Sequence, residues 1–164
     1  MINLKLIYKI IGSLLFIEAM MLLVCLGVSV YYHEDDLLAF ASSIAISAGT
    51  GLILRLFARN CDNNLSRRDA YLVVTLTWVV FSLFGTLPFL IGGYLHSFTD
   101  AFFETMSGFT TTGASIIDDV DVLPHGILFW RSFTQWLGGL GIVFFTIALL
   151  PSLVGGSVKV FAAE

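Results

Sequence analysis

Residues 98–115 read FTDAFFETMSGFTTTGAS, and this stretch decides the fold. Residues 98–107 suit a helix of about ten residues, reaching about 15 Å, half the hydrocarbon thickness of a bilayer. Behind it, Gly108-Phe109-Thr110-Thr111-Thr112-Gly113-Ala114-Ser115 reads as irregular backbone. Facing lipid, such backbone would leave N–H and C=O groups without partners, so it is tolerated only inside protein or beside a water-filled cavity. The stretch is therefore expected to dip into the membrane and return on the same side, its short helix aiming a partially negative C-terminus at the membrane centre. A cation is stabilised there. An extended Thr-Thr-Gly backbone beyond it can turn carbonyl oxygens inward to replace the hydration shell of a large monovalent cation. Gly113 permits the backbone angles that this requires. These residues do not offer an all-carboxylate divalent site.

The surrounding chain sets the dip in a membrane. Its 164 residues are 57% hydrophobic and 12% charged, with a mean hydropathy of +0.92, whereas soluble domains carry roughly 25% charged residues. That excludes an ordinary water-soluble globule and leaves room for about four spans. The expected fold is an all-α integral membrane protein. Two N-terminal transmembrane helices, Ile10–Tyr31 and Leu37–Leu56, form a hairpin over residues 1–66. Residues 67–164 form a helix, re-entrant pore loop and helix: span three from Tyr71 to Tyr94, kinked or ended near Thr86 by Pro88, and span four from Pro124 to Leu150, stopped by Pro151. Ala41, Ala45 and Gly49, and likewise Ser43, Ser47 and Gly51, place small residues where a neighbouring helix can approach closely. The first span lacks a clear small-x-small cleavage site and is expected to be retained. Cys25 and Cys61 suggest no disulfide framework.

Charge sets the expected orientation. Lys5, Lys9, Arg55, Arg59, Arg67, Arg68 and Lys159 flank one side, whereas Glu34, Asp35, Asp36, Asp100, Glu104, Asp118, Asp119 and Asp121 occupy the other connections. By the positive-inside rule both termini of the segment are cytoplasmic.

Three stretches together resemble a known family: residues 100–115 (DAFFETMSGFTTTGAS), the PHG of 124–126, and WRSFTQWLGGLG of 130–141. The run is similar to the first helix-pore-helix repeat of bacterial Trk-type potassium uptake proteins, of the Trk, Ktr and HKT superfamily. The two preceding helices resemble the TrkH and TrkG branch. The resemblance implies four such repeats in one polypeptide of the bacterial cytoplasmic (inner) membrane, with potassium as the transported ion and no cofactor. Gly113 is then the first filter glycine, and Thr110, Thr111, Thr112, Gly113 and Ala114 line the ion path as one quarter of a filter. It also implies two partners, a second copy forming a homodimer and a cytosolic nucleotide-binding TrkA ring. Residues up to Glu164 hold one repeat, so the segment is expected to be the N-terminal part of a longer protein and not to conduct alone. The alternative is a non-conducting membrane interaction module, distinguished by whether three more Thr/Ser-rich pore loops follow. No HExxH or Gly-x-Ser-x-Gly motif supports a membrane enzyme, and nothing suggests nucleic-acid binding.

Individual residues carry further expectations. Arg131, about two turns into span four, can snorkel outward or, as the favoured reading, pair with Glu104 or Asp100 as structural support for the pore helix. Glu18 lies deep in span one and is expected to be protonated or bonded to a hydroxyl across a helix pair. His33, His96 and His125 map to the outer side and are read as solvated there. Asp118, Asp119 and Asp121 either concentrate cations at the mouth or form a solvated loop. The glycines of 138–141 and 155–156 follow no strand, so they serve packing and not a dinucleotide site.

Overall fold

The computed structural model describes residues 3–59 and 66–161, with Arg67 and residues 144–161 as backbone only. Six helices follow in order: α1 Leu4–Tyr32, α2 Leu37–Phe57, α3 Arg67–Gly85, α4 Leu87–Ile91, α5 Phe98–Phe109 and α6 His125–Phe161. Among the described residues, α1, α2 and the stretch from Arg68 to Ile91 are long and apolar enough to cross a membrane. The architecture is that of an all-α integral membrane protein. Cys61 lies outside the described residues, as do the side chains of Lys159 and any packing of Gly155 and Gly156.

Local chemistry sets the helix ends. Asn3 caps α1 by accepting the Leu6 N–H. Ser66 and Asp69 form a reciprocal capping box at α3, and Asp69 also accepts the Asn3 N–H, which ties the starts of α1 and α3 together. At the other end of α1, His33 adopts a left-handed φ of 57°. The Glu34 N–H bonds to Ser29 O and the His33 N–H to Val30 O, the pattern of a Schellman cap. α3 ends at Gly85, and a new short helix begins at Leu87 with Pro88 in its first turn, because proline has no N–H to offer the preceding turn.

Pro151 behaves differently from expectation, since α6 runs through it to Phe161. A proline's fixed φ is itself helical, and in a membrane helix the freed carbonyl can be satisfied by neighbours. Pro124 precedes the first helical residue, accepting the Leu128 N–H. α5 runs two residues beyond the expected Ser107, to Phe109.

Because lipid tails are as apolar as leucine, close packing rather than water exclusion holds these helices together. α1 and α2 lie antiparallel with Gly12 against Gly51, where a Cβ on Gly12 would stand 2.7 Å from Gly51 O. The Ser43-Ser47-Gly51 stripe is buried. The Ala41-Ala45-Gly49 stripe is not used in this way: a Cβ on Gly49 would meet nothing within 4 Å. Leu22, Cys25, Phe40, Phe89, Ala101, Phe109, Ile127 and Trp130 form the main core, joining α1, α2, α4, α5 and α6. Trp130 is completely buried, and its indole N–H bonds to Gly85 O at 3.0 Å, where α3 ends.

Candidate functional site

The short helix α5 is buried along Ala101, Glu104, Thr105, Ser107, Gly108 and Phe109. Small residues let its neighbours close in. A Cβ on Gly85 of α3 would press within 2.6 Å of Thr105 Cγ2. Gly108 faces Thr134, Gly138 faces the Phe109 backbone, and Gly141 lies against Trp78. Of the glycines 138–141, Gly138 and Gly141 serve the expected packing, whereas a Cβ on Gly139 would have only Thr111 Cγ2, at 4.0 Å.

The backbone beyond α5 is not simply extended. The Thr110 N–H bonds to Met106 O, the Thr111 N–H to Gly108 O and the Thr112 N–H to Ser107 O. With Thr111 at φ 56°, this is a second Schellman cap, with threonine where glycine is usual. A β-branched residue with positive φ is strained, since its Cβ crowds the following carbonyl. The Thr111 hydroxyl bonds back to Thr110 O at 2.7 Å, and Thr110 and Thr112 share a hydroxyl contact of 2.9 Å. The sequence expectation of an extended Thr-Thr-Gly is not met, since both Thr111 and Gly113 have positive φ and the orphan carbonyls of α5 first draw the chain into a capping turn. These bonds also occupy carbonyls that would otherwise present the helix's negative end.

Gly113 has a φ of 74°, and a Cβ there would meet nothing within 4 Å. Its requirement for glycine is conformational and not steric. The returning strand is then clamped. Ser107 Oγ donates to Ala114 O at 2.6 Å, Ser115 Oγ to the Glu104 carboxylate at 3.1 Å, and the Ile116 N–H to Glu104 Oε2 at 3.0 Å. Between cap and clamp, the carbonyls of Thr111, Thr112 and Gly113 accept no hydrogen bond among the described residues, and residues 111–116 are exposed.

Glu104 is the organising residue. It is 4% exposed and, besides Ser115 and Ile116, takes Arg131 Nε at 2.5 Å. The structure pairs Arg131 with Glu104 and not with Asp100. The carboxylate's hold on the returning backbone was not legible in the sequence, because it depends on how far the loop folds back. Asp118, Asp119 and Asp121 lie in the exposed connection, where Asp119 accepts the Asp121 N–H.

At the start of α6, His125 is exposed but also engaged. Its Nδ1 lies 2.7 Å from Glu34, and its ring stacks on Tyr32 with centroids 4.0 Å apart. Glu34 also accepts the N–H groups of His125 and Gly126, standing in for a cap at the start of α6. Burial opposes ionisation of Glu34, but those hydrogen bonds prevail and hold its carboxyl below the usual range. Burial pushes the neighbouring Asp36 carboxyl up. Among the described residues no cluster of three His, Cys, Asp or Glu could hold a metal ion. Of the two readings expected for Glu18, the bond to a hydroxyl is not made, since neither of its carboxyl oxygens has a hydrogen-bond partner among the described residues.

Residues 38–164 match the family model described as TrkH, cation transport protein. The chain is 38% identical over 99% of its length to the Trk system potassium uptake protein TrkH of Halomonas elongata, covering 34% of that protein. It is 35% identical to TrkH of Escherichia coli, covering 96% of this chain and 33% of that one, and 33% identical to TrkG of the same organism over 93% of this chain and 32% of that one. The crystal structure of the potassium transporter TrkH from Vibrio parahaemolyticus superposes with a TM-score of 0.84 at 38% identity, covering 90% of this chain and 32% of that one. The chain therefore spans about one third of the length of the relatives it matches. With more than half of its residues inside the family model, this chain belongs to the TrkH family of cation transport proteins, and the membrane-enzyme reading is set aside.

Proposed function

We propose that the segment contributes one quarter of a potassium-selective filter to a Trk-type uptake protein of the cytoplasmic membrane. Thr110, Thr111, Thr112, Gly113 and Ala114 line the ion path. The carbonyls of Thr111, Thr112 and Gly113, unclaimed by any hydrogen bond among the described residues and held between a helix cap and the Glu104 clamp, carry this proposal. Carbonyl oxygens fixed by their surroundings can replace the water around a large monovalent cation. The relatives are named as potassium uptake proteins, which supports potassium as the ion.

The rest follows from charge and resemblance. The helix-pore-helix unit is residues 67–164, the two preceding helices form its flank, and both ends face the cytoplasm. A second copy and a nucleotide-binding TrkA ring are the proposed partners. The test is made in a complete four-repeat protein carrying this segment. Gly113→Ser is expected to weaken preference for potassium over sodium in competitive uptake, while the protein remains in the membrane at normal levels. An unchanged preference at normal abundance overturns the filter assignment.

A further inference from the structure

Ser107 follows Glu104 by three residues on the buried face of α5 and is 6% exposed. A serine or threonine inside a helix commonly returns its hydroxyl to the carbonyl four residues back. The neighbours of Ser107 do so, since Thr105 Oγ1 donates to Ala101 O and Thr110 Oγ1 to Met106 O. Ser107 does not. Its one hydroxyl proton goes forward instead, across the loop to Ala114 O at 2.6 Å.

The same residue holds the other foot of that loop, because the Thr112 N–H bonds to Ser107 O at 3.0 Å. A backbone acceptor and a side-chain donor of one buried residue therefore pin both ends of the arch Thr112-Gly113-Ala114, whose middle residue has a φ of 74°. Alanine at 107 would keep the first bond and lose the second. Glu104 then fixes the next two residues through the Ser115 hydroxyl and the Ile116 N–H.

The consequence falls on the carbonyls. Those of Thr111, Thr112 and Gly113 accept no hydrogen bond among the described residues, whereas Ala114 O is engaged by a buried hydroxyl. We propose that Ser107 is a positioning residue of the filter, which withholds the Ala114 carbonyl from the ion and leaves this repeat to present those of Thr111, Thr112 and Gly113. This role rests on the filter reading of residues 110–114 and adds to it a side chain that does not touch the ion. Selectivity in a ring of carbonyls is set by cavity size or by the number of coordinating dipoles. A freed Ala114 carbonyl changes both. It supplies an extra oxygen that can move in on a smaller ion, which favours sodium, and it loosens the arch that holds the oxygens around potassium.

The test uses the complete four-repeat protein carrying this segment, in cells without other potassium uptake systems. Ser107→Ala is expected to lower the preference for potassium over sodium about three- to tenfold, the range spanned by one hydrogen bond. It should do so by raising KM for potassium while maximal uptake per molecule in the membrane is kept. Maximal uptake that falls with KM and preference unchanged marks a residue needed only for folding, and overturns the proposal. Gly113→Ser is measured beside it. If Gly113→Ser alters the preference and Ser107→Ala does not, the role of Ser107 is refuted and the filter reading stands; if neither alters it, both fall. If Ser107→Ala does not reach the membrane, Ser107→Cys decides, since a thiol occupies a similar place but donates weakly. A preference equal to the parent's in Ser107→Cys overturns the proposal.

Discussion

Glu104 on α5 accepts the Nε–H of Arg131 on α6 while its second oxygen holds the Ile116 N–H of the returning loop. One buried carboxylate thus joins two helices to the segment between them. Removing one partner strands the other charge, which costs about 3 kcal/mol or more in buried pairs. Glu104→Ala and Arg131→Ala should each lower the thermal midpoint of the chain in detergent. The combined Glu104→Leu, Arg131→Met variant should lose less than either, since neither charge is then left alone. A double variant as unstable as the sum of the singles would contradict the account.

Thr111 occupies the left-handed cap position at a cost of about 1–2 kcal/mol relative to glycine. Thr111→Gly should therefore leave the chain as stable or raise its thermal midpoint, although it removes the hydroxyl bond to Thr110 O. Gly113→Ala should act in the opposite direction by a similar amount, through φ and not through a clash, because the space around it is open. A lower midpoint for Gly113→Ala with no fall for Thr111→Gly in paired melting curves is the expected result.

Trp130→Phe keeps an aromatic ring in the core and deletes only the donor to Gly85 O. A buried carbonyl left unpaired costs about 1–3 kcal/mol. Hydrogen exchange should quicken at the end of α3 more than in α1 or α2, and uniform quickening would argue against a local role.

The contact of Glu34 with His125 and Gly126 carries a pH dependence whose sign is fixed. Glu34 has a folded-state carboxyl below its usual value, so its stabilisation is full above the ordinary glutamate range. It is lost as pH falls through the lower folded value. The stability gap between the parent chain and Glu34→Gln should be widest near neutral pH and close below about pH 4. A gap that widens on acidification would reverse the assignment.

Much of this molecule was legible in the residues themselves. Long apolar runs dictated the spans, Pro88 the break after Gly85, and the short amphiphilic stretch before Thr110 the half-length helix. Arg131, a cation two turns inside a span, pointed to an acid partner more than to an outward reach. Those features rest on lengths, periods and the cost of lone charges in lipid, which are properties of the chain alone. What the sequence could not decide depended on where distant backbone came to rest. Whether Arg131 met Asp100 or Glu104, whether Glu104 also caught Ile116, and which of two small-residue stripes on α2 received α1 were set by helix register. The left-handed Thr111 was hidden for the same reason. Its residue type argues against that conformation, and only the need of the α5 carbonyls for capping donors, once the helix is packed in place, draws it there.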